Sequence, residues 1–107
     1  MSKVYIAGPM TGYDQFNKPA FMDVENYLRN VGFEVFNPAV EQEIKNLDEC
    51  NGFEPLTPEE RKRIIRKDLE GIMSSDQMFM LKGWEKSTGA RAEHAVAVWL
   101  EMEIGYE

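Results

Sequence analysis

Lys3-Val4-Tyr5-Ile6-Ala7-Gly8-Pro9 is a β-branched and aromatic run cut short by glycine and proline. That composition predicts a buried strand, with Gly8-Pro9 ending it. Further on, Asn17 precedes Lys18-Pro19, and proline is well placed in the first turn of a helix. Phe21, Val24, Leu28 and Val31 follow at helical spacing, and Gly32 stops the pattern. Phe33–Phe36 reads as a second strand, closed by Asn37-Pro38. Strand, helix and strand in that order imply a right-handed crossover and a parallel pair.

The alternation continues outward from this unit. The stretch 39–56 is the least regular, with a short helix expected over Glu41–Leu47. Thr57-Pro58-Glu59-Glu60 is a capping box with proline at the first helical position. The helix it opens runs through Ile64, Ile65, Asp68, Leu69, Ile72 and Met73 to about Ser74. Gln77–Leu81 reads as a third strand, and Ser87-Thr88-Gly89 introduces a last helix reaching about Leu100. Glu103–Tyr106 reads as a fourth strand or a frayed tail. The whole, residues 1–107, is expected to be a single α/β domain around a parallel sheet. Ligands of such sheets bind beyond the carboxyl ends of the strands, where the strand order reverses. Gly8, Met10, Asn17, Asp68 and Glu93 should converge there.

Composition narrows the partners. With 107 residues, 43% hydrophobic and 29% charged, the chain has the balance of one soluble domain. A net charge of −7 repels phosphate backbones, so a nucleic acid polymer is not an expected partner. The basic residues Arg61, Lys62, Arg63, Arg66 and Lys67 alternate with acids, as on the wet side of a helix. Cys50 is the one cysteine, which excludes an internal disulfide and suits a reducing cytoplasm. Its acidic neighbours would raise its pKa, which argues against a nucleophile. The N-terminal run is too short for a signal peptide, and no apolar stretch is long enough to span a membrane. His94, the one histidine, has no companions for a metal site. No cofactor motif is present.

Two acids stand where a helix should present apolar side chains. Asp68 lies four residues from both Ile64 and Ile72, and Glu93 lies between Ala90 and Ala97. An inward carboxylate costs several kcal/mol unless it is paired or hydrogen-bonded. The plain readings are a buried ion pair for Asp68, with Arg91 as partner, and an ordinary surface position for Glu93. The chemical reading places both in one pocket. Among the remaining residues, Met73, Met78 and Met80 read as core. Phe16 and Trp84 could stack on a base or pack beneath loops. Exposed Trp99, Met102 and Tyr106 would leave apolar surface for self-association into a homodimer or higher oligomer.

Three motifs then carry a resemblance: Tyr5-Ile6-Ala7-Gly8-Pro9-Met10-Thr11-Gly12, Lys67-Asp68-Leu69 with Ser75-Asp76, and Ser87-Thr88-Gly89-Ala90-Arg91-Ala92-Glu93. In this order the chain resembles the nucleoside 2-deoxyribosyltransferase superfamily. It is most similar to a short branch from phage and bacteria and to 2-deoxynucleoside 5′-phosphate N-hydrolases. The resemblance implies a flavodoxin-like or Rossmann-like three-layer sandwich with a parallel sheet of four to five strands. It implies cleavage of the N-glycosidic bond of a 2-deoxyribonucleoside or its 5′-monophosphate, by transfer or hydrolysis, on a small-molecule nucleoside or nucleotide and without a cofactor or metal. It casts Glu93 as nucleophile, Asp68 as the carboxylate that helps protonate the departing base or orients the sugar, and Tyr5 as the residue that positions Glu93. Gly8, Met10, Thr11, Asn17, Ser87, Gly89 and Arg91 become substrate contacts. Arg91 stands where a smaller residue is usual, and no asparagine follows Glu101. A non-catalytic nucleotide-binding protein and an interaction module are the competing readings.

Overall fold

A first strand buried on both faces sets the layers. The computed structural model describes residues 2–10, 12–41 and 57–107. Strand β1, Lys3–Ala7, divides its side chains between two cores, as the two-residue period of a strand requires. Val4 and Ile6 pack with Phe21, Val24 and Leu28 of helix α1 (Lys18–Val31). Tyr5 and Ala7 face the other way, toward Ile72 of α3 (Pro58–Met73) and Ala90 and Ala97 of α4 (Thr88–Trp99). Helices therefore cover both faces of one sheet.

Strands β2 (Glu34–Phe36), β3 (Gln77–Met80) and β4 (Glu103–Tyr106) complete the sheet. Its order is β2-β1-β3-β4, with every pair parallel. This is a flavodoxin-like arrangement. The chain builds out on one side of β1, then the other, so the order reverses between β1 and β3. Glu103–Tyr106 is strand rather than frayed tail.

Local chemistry explains the boundaries. Gly32 closes α1 at φ 113°, donating to the Leu28 and Arg29 carbonyls. At the start of α3, Thr57 Oγ1 accepts from the Glu60 amide at 3.1 Å, and Glu60 Oε1 accepts from the Thr57 amide at 2.9 Å. Helix α2, Pro38–Glu41, begins earlier than the expected Glu41–Leu47. The cause is Asn37, whose Oδ1 accepts the Ala39 N–H at 2.9 Å while Pro38 follows it. Asn37-Pro38 therefore opens a helix as well as closing a strand. The remainder of the expected helix, with Cys50, lies outside the described residues.

Two expected core residues are not core. Val31 is 58% exposed, because it is the last residue of α1, beside the amino ends of the strands. Met73 is 63% exposed. It sits about 100° around the helix from buried Ile72, in line with exposed Ile65 and Leu69. Leu69, Met73, Val96, Trp99 and Leu100 line an apolar groove of about 420 Å³ between α3 and α4. Among the described residues, no helix is long and apolar enough to cross a membrane.

Candidate active site

Tyr5 is fully buried, and its ring stacks on Phe36 with centroids 5.3 Å apart and planes 13° from parallel. Phe36 in turn lies against the backbone of α3 at Gly71. A Cβ added at Gly71 would stand 2.6 Å from Phe36 Cε1, so only glycine admits the ring. This packing aims the Tyr5 hydroxyl at α4, where it donates to Glu93 Oε2 at 2.6 Å. Small, buried Ala90 and Ala97 let α4 approach the sheet closely enough for that bond. Asp68, from α3, hydrogen-bonds with both Glu93 and Tyr5. Three polar side chains from β1, α3 and α4 thus form one cluster.

Burial pushes the Glu93 carboxyl well above the usual carboxylate range, and the Asp68 charge raises it further; the Tyr5 bond opposes both. Asp68 is raised to about 6, also by burial, against the pull of Glu93, Tyr5 and the Lys67 charge. Tyr5 is driven well above 10 by burial and by the two acids, so it remains a donor. Two carboxyls this close titrate as one unit, and burial favours keeping a proton on the pair. The resemblance implies that this proton sits on Asp68.

The remaining expected contacts scatter in role. Gly8 is buried, and a Cβ there would meet Leu81 Cβ at 2.7 Å; its need is close packing of β1 against the chain leaving β3. Met10 packs against the core beneath α1. Asn17 commits its amide Nδ2 to the Pro9 carbonyl at 2.9 Å, tying down the loop after β1. Thr11 lies outside the described residues. Ser87 caps α4, its Oγ accepting from the Ala90 amide at 3.2 Å. Gly89 is exposed with open space above it, and Arg91 is exposed. The partner proposed for Asp68 is corrected accordingly: Asp68 turns to Tyr5 and Glu93. Phe16 is buried under its loop, within a left-handed run of Gln15, Phe16 and Asn17 at φ 52°, 53° and 64°.

Sequence reasoning passed over Phe36 and Gly71, although glycine inside an amphipathic helix is itself a signal of close approach. It also passed over the pairing of His94 with Tyr106, whose Nε2 and Oη stand 2.9 Å apart. No spacing rule would have found that pair, since the residues meet only through the β3–α4–β4 crossover.

A parallel sheet covered by helices on both faces is a fold already known from solved structures. The chain is similar to the 2-deoxyribosyltransferase from the psychrotolerant bacterium Bacillus psychrosaccharolyticus, with a TM-score of 0.72 and 24% identity over 98% of this chain and 71% of that one. At this identity the likeness is one of fold. Residues 2–106 match the family described as "Domain of unknown function (DUF4406)", and the chain belongs to that family. No curated protein matches it.

Proposed function

We propose that this protein cleaves the N-glycosidic bond of 2-deoxyribonucleosides or their 5′-monophosphates, with Glu93 as nucleophile. The observation that carries the reading is the Tyr5 hydroxyl donating to Glu93 Oε2 at 2.6 Å, beside Asp68, in a half-buried acid pair. The likeness in fold to a 2-deoxyribosyltransferase supports it. In this reading the pair shares one proton, which stands on Asp68 when substrate is bound. The Glu93 carboxylate, steadied by Tyr5, then attacks the anomeric carbon as positive charge grows on the sugar. The carbon–nitrogen bond breaks, its electron pair leaves with the base, and Asp68 delivers the proton that makes the base a better leaving group. Water or a second base attacks the same carbon, its proton passing to the Asp68 carboxylate, and the ester bond breaks with its electron pair returning to Glu93. Ser87 and the amides opening α4, with Gly89 leaving room, would receive a 5′-phosphate.

The test is release of free base from each deoxynucleoside and deoxynucleoside monophosphate. Base release that is lost in Glu93→Gln supports the reading; a full panel without free base overturns it. One observation favours a second reading, binding without turnover: burial pushes the Glu93 carboxyl up, and a carboxyl in its neutral form is a poor nucleophile. Under that reading a nucleotide raises thermal stability and is recovered intact. We also propose that the apolar groove between α3 and α4 promotes self-association, which sedimentation of the wild type against Trp99→Glu would reveal.

A further inference from the structure

A cavity of about 470 Å³ opens over the carboxyl ends of β3 and β4, lined by Leu81, Lys82, Trp84, Glu85, Tyr106 and Glu107 among others. Its size falls within the range of small-molecule sites. One wall is a fixed aromatic platform. The Trp84 ring lies 4.3 Å from the His94 ring, centroid to centroid, at an interplanar angle of 27°. Tyr106 sits 6.0 Å from each of them, and its hydroxyl is 2.9 Å from His94 Nε2. With one face held by His94, the indole needs little further ordering to receive a second planar ring.

The lining also selects by charge. Its charged lining residues are two acids, Glu85 and Glu107, and one lysine, Lys82, and Glu107 Oε1 already accepts the Lys82 backbone N–H at 2.8 Å. An excess of acceptors and negative charge disfavours a phosphate and suits a ring edge carrying N–H donors. Gly83, at φ 89°, brings this loop against the loop after β1; a Cβ there would lie 3.4 Å from Tyr13 Oη and 3.6 Å from Pro9 Cγ. His94, behind the platform, directly follows Glu93.

We infer that this cavity is a nucleobase site, selective for amino-bearing heterocycles, with Trp84 as its stacking platform. The inference rests on the glycosidic reading only for the origin of the base. The chain has two tryptophans, so Trp99→Phe leaves Trp84 as the sole indole. In that variant, adenine, guanine and cytosine should quench the fluorescence saturably, uracil and thymine should do so more weakly, and deoxyribose 5-phosphate should have no effect. Calorimetry on Trp84→Ala should find base binding weakened about 5- to 150-fold, as expected for loss of one stacking partner. Trp84→Phe, which keeps a ring and guards against a folding failure, should retain most of it. A saturable response to the sugar phosphate alone, or none to any base, overturns the assignment. Quenching that persists in a protein releasing no base sinks the cleavage reading and leaves the base site standing. Base release with kcat/KM unchanged in Trp84→Ala does the reverse.

Discussion

Replacing Asp68 by asparagine should make the protein more stable at pH 8, although it alters a buried polar cluster. Asp68 is raised from its ordinary 3.8 to about 6 by burial, so the fold prefers its neutral form. That shift corresponds to about 3 kcal/mol at most, and solvent screening at its half-buried edge brings the expected gain to about 1–2 kcal/mol. The sign follows from linkage. The folded pKa lies above the unfolded one, so the preference is fully present below about pH 4 and is lost as pH rises through about 6. Wild-type stability should therefore fall between those values and stay low above them. Asparagine has no charge to desolvate and can still accept from the Glu93 carboxyl and the Tyr5 hydroxyl. Urea unfolding at pH 4.5 and pH 8 should find Asp68→Asn close to wild type at the lower value and more stable at the higher. If the variant is less stable than wild type at pH 8, the desolvation account of this acid is wrong.

Other perturbations separate the parts of the cluster. Tyr5→Phe keeps the buried ring and its stack on Phe36 but removes the donor to Glu93. A hydrogen bond to a charged group contributes about 1.5–3 kcal/mol, so kcat for base release should drop about 10- to 150-fold while the fold persists by circular dichroism. Gly71→Ala drives a methyl into the Phe36 ring and should cost about 1–3 kcal/mol in urea unfolding, with activity falling as Tyr5 loses its support. Thr57→Ala removes the capping box, far from the acids, and should cost about 1 kcal/mol of stability with kcat unchanged.

Much of this fold is legible because strands and helices carry different periods. The run through Tyr5 and Ile6 reads as a buried strand on its own, and Gly32 and Thr57 mark helix ends by chemistry that needs no tertiary context. Asp68 and Glu93 stand out for the opposite reason: each breaks an apolar face, and only a partner makes such a break tolerable. Periodicity does not say where a neighbouring layer ends, so Val31 and Met73 look like core and are not. The left-handed run from Gln15 to Asn17 contains no glycine to announce it. Asn37-Pro38 carries two signals at once, and only the amide of Ala39 reveals the helical one. The raised affinity of the acid pair for protons is beyond any spacing rule, because it depends on how deeply the carboxyls sit.

The proposed glycosidic chemistry requires a covalent role for one glutamate. Mixing the protein with a 2-fluoro-2-deoxynucleoside, whose fluorine slows breakdown of a glycosyl ester, and mapping the product by peptide mass spectrometry tests it directly. The expected result is a fluorosugar added to Glu93, with free base released in equal amount and no adduct in Glu93→Gln. Free base without any adduct, or an adduct on another residue, would contradict it.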